Sequence, residues 1–322
     1  MLPTPASPPT DPARHLKWGA EGLWQQLEPL LPGLSVEVVA HLESTNTRLL
    51  DRARAHSGQR DGPVTRPSEL ENLRSAGSER TPYGRRAADL LPCLLVAEHQ
   101  TRGRGRLGRD WVSSQGASRT FSLSLPLQPA DWSGLSLAVG LALADALDPI
   151  AGPGQQAPRI VLKWPNDLWL AEPQLGPGCG RKLGGVLIET VSVGPHRMCV
   201  VGVGLNVLPQ VLDDSGGLGN LVNLTHGYAS LHEIEPALDA PAALARVAGP
   251  LVHALLRFQA AGFAPLAPAY ARRDMLHGLP ISTTQPDVPE GVADGVDERG
   301  ALRVRCAGLR QLVSGEVSVR LK

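Results

Sequence analysis

The stretch from Arg181 to Asn206, RKLGGVLIETVSVGPHRMCVVGVGLN, decides the fold. It reads as two long apolar strands, KLGGVLIETVSV and HRMCVVGVGLNV, joined by a tight turn at Gly194-Pro195. Upstream, RIVLKW is a strand, Pro165-Asn166-Asp167 is a turn by composition, and LWL resumes the extended chain. A Gly/Pro-rich loop at 171–180 connects this hairpin to the quoted stretch. Strands joined in this way, with no room for crossover helices between them, predict an antiparallel meander.

Outward from the meander, helices and strands alternate. From His15 the apolar residues Leu16, Ala20, Leu23, Trp24, Leu27 and Leu31 recur at helical spacing and stop near Pro32-Gly33. SVEVVAHLE at 35–43 reads as a strand, and Ser44-Thr45-Asn46 suits the start of the helix TRLLDRARAH. LPCLLVAEHQ is a buried strand, FSLSLPL alternates as a strand does, and GLSLAVGLALADAL is a largely buried helix. Further helices are expected over 229–235, over 240–262 and near 263–276. From Pro280 onward, short strands and turns suit a small β barrel. Residues 1–14, rich in Pro, Ser and Thr, predict a disordered tail, and the aperiodic residues 57–90 predict a mobile surface insertion.

The whole chain limits the classes of function. Its 31 basic and 31 acidic side chains cancel, which argues against a general nucleic-acid binder. Cys93, Cys179, Cys199 and Cys306 lie far apart, so neither a zinc site nor a disulfide framework is suggested, and a reduced cytoplasm fits best. No apolar run approaches a membrane span, and the N-terminus lacks the pattern of a secretion signal. Of the 31 basic residues only Lys17, Lys163, Lys182 and Lys322 are lysines, so the two central ones mark places where a compact ammonium is wanted.

Three clusters could carry chemistry. TRGRGRLGRDW, 101–111, interleaves Arg102, Arg104, Arg106 and Arg109 with Gly103, Gly105 and Gly108. The glycines let the backbone approach a ligand and the arginines surround it with charge, which points to phosphate or carboxylate. Read alone, it also fits an arginine-glycine linker that touches RNA. The Gly103-x-Gly105-x-x-Gly108 spacing matches a dinucleotide fingerprint by expression only, because a Trp and a strand follow it rather than a helix. Lys163-Trp164-Pro165-Asn166-Asp167 ends a strand, where Lys163 could neutralise a phosphate, Asn166 read a base or sugar, and Asp167 hold magnesium or a positive partner. Standing alone, it is also an ordinary Asn-Asp turn. Arg181-Lys182-Leu183-Gly184-Gly185 opens a strand whose glycines leave room for a ligand, and a lone Lys182 is also a plain surface charge.

Taken together, STN at 44–46, AEHQTRGRGRLGRDW at 97–111, KWPNDLWL at 163–170, RKLGGVLIE at 181–189 and VGVGLN at 201–206 resemble the biotin protein ligases. The resemblance implies an α+β fold of the class II synthetase type, a mixed and mainly antiparallel sheet flanked by helices. It also implies a catalytic biotin/ATP-binding domain over 15–276 and an SH3-like β-barrel domain over 277–322. The implied activity joins biotin to ATP as biotinyl-5′-AMP, with Mg2+, and transfers biotin to a lysine of a biotin carboxyl carrier protein. Lys182, Arg106 and Asp167 would be catalytic. Biotin would meet Ser44, Thr45, Asn46, Gln100, Gly103, Arg104, Gly105, Arg106, Lys182, Gly185 and Gly202. ATP and the adenylate would meet Arg106, Trp111, Lys163, Asn166, Lys182, Asn206 and Arg320, with Asp167 assisting either the acceptor amine or the metal.

The arginine stretch is expected to be mobile over 101–116 without ligand and to order over bound adenylate. Only about 20 structured residues are expected before the first catalytic strand, too few for the winged DNA-binding domain of bifunctional relatives, so no operator binding is expected. A homodimer through a sheet edge is a further implication of the resemblance. The rivals are a lipoate or octanoate ligase or transferase of related fold and, from another class, an RNA-binding protein that uses the Arg-Gly stretch.

Overall fold

The computed structural model describes residues 17–57, 90–111, 118–150, 157–209, 227–313 and 319–321. The N-terminal tail, the expected insertion beyond Ser57 as far as residue 89, and residues 112–116 of the expected mobile loop lie outside them. In chain order the elements are α1 Ala20–Leu27, β1 Ser35–Leu42, α2 Thr45–Ser57, β2 Cys93–Gln100, β3 Gly103–Arg104, β4 Asp110–Trp111, β5 Ser118–Pro126, α3 Leu135–Leu147, β6 Ile160–Lys163, β7 Asp167–Ala171, β8 Gly180–Val193 and β9 His196–Asn206. Then come α4 Ala240–Ala261, α5 Ala267–Ala271, β10 Pro280–Thr283, β11 Glu290–Val296, β12 Leu302–Arg305, β13 Leu309–Leu312 and β14 Val319–Leu321.

The quoted stretch forms the spine. β8 and β9 pair antiparallel from Gly184 opposite Leu205 to Val193 opposite His196. Gly194 turns the chain at φ 58, a left-handed value that glycine adopts without a Cβ clash. β7 adds to β8, β6 to β7 and β5 to β9, all antiparallel, while β2 pairs antiparallel with β5 and parallel with β1. The resulting seven-stranded order is β1-β2-β5-β9-β8-β7-β6, a mixed and mainly antiparallel sheet.

Helices cover both faces because each face is apolar. α3 is buried on nearly every side and packs against the sheet and α4, as a helix without a polar stripe must. α2 covers the opposite face, where Leu49 and Leu50 meet Cys93, Leu95 and Val200. Burial holds the thiols of Cys93 and Cys199 up at about 12, with Glu37 adding to the effect at Cys93, so both cysteines behave as small apolar groups.

The C-terminal strands form an antiparallel sheet ordered β13-β12-β11-β10-β14. Its inner residues Ile281, Ala293, Leu302 and Val304 belong to the same hydrophobic core as α3 and α4. The indole of Trp164, 1% exposed, donates to Gly300 O at 3.0 Å and so ties the β6–β7 turn to this sheet.

Two expected helices are shorter than their sequence suggests. The one over 229–235 is a single 3-10 turn, Leu231–Glu233, closed by a reciprocal Ser230/Glu233 capping box and followed by Pro236. The one near 263–276 is a 3-10 turn at Ala264–Leu266 plus the five residues of α5, because Pro265 and Pro268 each begin a new turn instead of extending the last. The first helix begins at Ala20, later than its apolar spacing implies.

Candidate active site

One cavity of about 680 Å³ opens beside the β7–β8–β9 face, a size suited to a small organic ligand with a cofactor-sized partner. Its walls come from the start of α2, the end of β2, the arginine ribbon, the β6–β7 turn, the glycines of β8 and β9, and β14.

At one end the walls are polar, neutral and bonded to one another. Ser44 begins α2, and its Oγ lies 3.4 Å from the N–H of Thr47. Both N–H and Oγ1 of Thr45 donate to Gln100 Oε1, at 2.7 and 3.0 Å. The Ser122 hydroxyl lies 2.6 Å from Thr45 Oγ1 and from Asn46 Oδ1. Asn46 Nδ2 donates to Glu189 Oε2 at 3.0 Å and to Leu187 O at 3.3 Å. A Cβ at Gly202 would fall on the Asn46 amide, so this glycine makes room for a side chain of the site itself. Ser44, Thr45, Asn46 and Gln100 are all buried. A buried set bonded in this way resists reorientation and presents fixed donors and acceptors.

The other end is cationic. Lys182 Nζ, at the start of β8, pairs with Asp167 Oδ1 at 2.8 Å and faces the Trp111 ring at 5.7 Å. A Cβ at Gly185 would lie 3.2 Å from that carboxylate oxygen and 3.6 Å from Nζ, which explains the glycine. Lys163, at the end of β6, lies 4.3 Å over the Trp169 ring. Burial pushes its ammonium below the ordinary lysine range; Asp167 opposes that shift, and Lys182, Arg320 and Arg109 reinforce it. Arg106 donates to Asn166 Oδ1 at 3.3 Å, and its guanidinium is likewise lowered by burial, against the pull of Asp167. Asn166 is fixed in turn by Nδ2 donating to Val186 O at 2.9 Å. Concentrating cations in a half-buried place has an energetic cost, and a bound anion removes it.

The arginine stretch is a small β ribbon. β3 pairs with β4 through Gly103–Trp111 and Arg104–Asp110, and a 3-10 turn at Arg106–Gly108 closes the tip. Leu107 and Gly108 there take left-handed φ values of 58 and 69. The element directly after Gly108 is the strand β4, not a helix, in line with the sequence-based rejection of a dinucleotide fold. The Trp111 ring lies on Gly204, where a Cβ would come within 2.5 Å of it, and its buried indole N–H has no hydrogen-bond partner among the described residues.

Most residues singled out in the sequence converge on this cavity: Ser44, Thr45, Asn46, Gln100, Arg104, Gly105, Arg106, Trp111, Lys163, Asn166, Asp167, Lys182, Gly185, Gly202 and Arg320. Two do not line it. Gly103 is packed against the Trp111 backbone and the Gln100 amide, so it shapes the ribbon. Asn206 donates to Lys182 O at 3.3 Å from behind the wall.

Sequence reading missed Ser122, Glu189 and Tyr228. Ser122 had a signal: Thr120, Ser122 and Ser124 alternate with apolar residues on β5, and all three are buried, so that face needs polar partners. Tyr228 forms a bridge with Lys182, and Arg181 holds that segment by donating to Tyr228 O at 2.8 Å, a contact no spacing announces. Among the described residues no group of three or more His, Cys, Asp or Glu could hold a metal.

Residues 91–206 match the model of the Biotin/lipoate A/B protein ligase family. The chain is 30% identical over 301 residues to the bifunctional ligase/repressor BirA of Escherichia coli, covering 92% of this chain and 77% of that one. It is 31% identical over 312 residues to the biotin–[acetyl-CoA-carboxylase] ligase of Mycobacterium tuberculosis, covering 94% and 92%. With the biotin–[acetyl-CoA-carboxylase] ligase of Paracoccus denitrificans it shares 33% over 233 residues, covering 68% and 86%. In fold it resembles the biotin protein ligase of Aquifex aeolicus in complex with biotin and ATP, at TM-score 0.60 and 22% identity, covering 89% of this chain and 99% of that one.

Proposed function

The chain belongs to the biotin–[acetyl-CoA-carboxylase] ligases of the biotin/lipoate A/B protein ligase family, and from that membership we propose how its cavity works. It is an ATP-dependent biotin protein ligase. The biotin carboxylate attacks the α-phosphorus of ATP, the bond to the β-phosphate oxygen breaks, and biotinyl-5′-AMP and pyrophosphate form. The amine of a carrier lysine then attacks the acyl carbon, giving an amide, AMP and a proton.

The observation that carries this reading is the meeting of Lys182, Lys163 and Arg106 in the same cavity as the neutral polar start of α2. Two unit negative charges 4 Å apart repel by about 4 kcal/mol at an effective dielectric of about 20. Carboxylate and triphosphate approach only where fixed positive charge offsets this. Lys182 is assigned to both ligands: its ammonium leaves Asp167 for the biotin carboxylate and the α-phosphate and stabilises the charge that builds between them. Lys163, Arg106 and Arg320 face the polyphosphate, with Trp111 and Asn166 at the nucleoside. Ser44, Thr45, Asn46 and Gln100 receive the ureido ring, which needs donors and acceptors together. Arg104, Gly105 and Arg106 of the ribbon close over both ligands and limit water at a mixed anhydride. Once Lys182 has turned to substrate, Asp167 is released to take the proton of the acceptor ammonium.

A magnesium ion fits here as a passenger of the phosphates rather than of a protein cage, since Asp167 is the carboxylate that the cavity wall supplies. When bound, it would neutralise phosphate charge. The acceptor is a biotin carboxyl carrier domain. β1 leaves an exposed sheet edge with Val38 and His41 outward, which supports pairing with a second copy. The four free cysteines support a reducing compartment such as the cytoplasm.

The test is ATP–pyrophosphate exchange with biotin, lipoate or octanoate as the acid, followed by transfer to a carrier domain. Exchange and transfer with biotin alone are expected. Equal exchange with lipoate or octanoate would overturn the assignment in favour of the related ligases.

A further inference from the structure

Glu189 has no part in the mechanism above and does not line the cavity, yet its carboxylate joins two of the walls. Oε2 accepts from Asn46 Nδ2 at 3.0 Å, and Oε1 pairs with an Arg104 guanidinium nitrogen at 3.2 Å. One side chain of β8 thus holds the start of α2 and the arginine ribbon together.

The first contact also settles which way the Asn46 amide points. A carboxylate accepts hydrogen bonds and donates none, so the NH2 of Asn46 must face Glu189 and its oxygen must face Ser122 and Gly202. Leu187 O, at 3.3 Å from Nδ2, favours the same orientation through a longer contact; a neutral amide at 189 would accept either one, so a flipped Asn46, which would show the cavity the opposite pattern, becomes accessible. The carboxylate is well placed for this task. It is 23% exposed and sits by the first turn of α2, where the positive end of the helix dipole favours negative charge. Arg104 is 48% exposed, so its pairing with Glu189 restrains the ribbon more than it stabilises the fold.

We infer that Glu189 is a positioning residue for biotin: it sets the donor–acceptor polarity of Asn46 and tethers the ribbon through Arg104, without touching substrate. The inference rests on the assignment of this end of the cavity to biotin.

Glu189→Gln keeps the size of the side chain and removes its charge, and biotin-dependent ATP–pyrophosphate exchange reads the result. The biotin KM is expected to rise about tenfold, the scale of a lost hydrogen bond to a charged group. The ATP KM and kcat are expected to stay within about twofold. Melting of the ligand-free protein should be unchanged, while the upward shift given by saturating biotin should shrink. An unchanged biotin KM would overturn the inference. So would an equal rise in both KM values, or a lower melting temperature without ligand, each of which marks a merely structural side chain. Absence of exchange in the wild type would remove the ligase reading and this inference together; exchange in the wild type with an unaltered variant would remove the inference alone.

Discussion

The two ends of the cavity solve opposite problems. At the α2 end, Thr45, Asn46, Gln100 and Ser122 are buried and hydrogen-bonded to each other and, through Asn46, to Glu189 and Leu187, so their orientation is set before a ligand arrives. At the lysine end, Lys163 and Arg106 are cations whose charge burial disfavours. The first end suits a neutral ring that must be read by shape and polarity. The second suits an anion that relieves the crowding of like charge on binding. β9 serves both: Gly202 gives space to Asn46 and Gly204 gives space to Trp111.

If this division holds, substitutions should sort by end. The largest effect belongs to Lys182, the cationic-end residue assigned to both ligands: Lys182→Ala is expected to lower the exchange rate by about 10²- to 10³-fold, the scale of removing one donor from a developing charge. Undiminished exchange would break the comparison at its centre. Next is Lys163. Because burial lowers its pKa, the free enzyme loses this charge at lower pH than an ordinary lysine, so kcat/KM for ATP should fall on the alkaline side before normal lysine titration. Lys163→Arg, which stays charged, should flatten that limb, and the same limb in the arginine variant would assign it elsewhere. The smallest effect is at Arg320, which is exposed. Arg320→Ala should raise the ATP KM about two- to threefold at low salt and less at high salt, as an exposed charge acts.

The central sheet was legible from its alternation and turns, and the meander 159–206 folds as its pattern implies. The helix expected over 240–262 folds as Ala240–Ala261, but those over 229–235 and near 263–276 were less legible, because apolar spacing continues through Pro236, Pro265 and Pro268, each of which ends or restarts a turn. The cationic end was readable because lysine is rare here and glycine flanks it. The partners of the neutral end were not, since Ser122 and Glu189 meet Asn46 only through the sheet register that brings β5, β8 and α2 together. Gly103 and Asn206 carry motif positions yet act on the backbone of their neighbours, a difference that spacing does not encode.

The division of the cavity is tested most directly by two alanines placed two residues apart, Gly202→Ala and Gly204→Ala, compared in one exchange assay. A Cβ at 202 collides with the Asn46 amide and should raise the biotin KM about tenfold or more, with the ATP KM within twofold. A Cβ at 204 displaces the Trp111 ring and should do the reverse. If both constants move together in each variant, the two ends are not separate and the account is wrong.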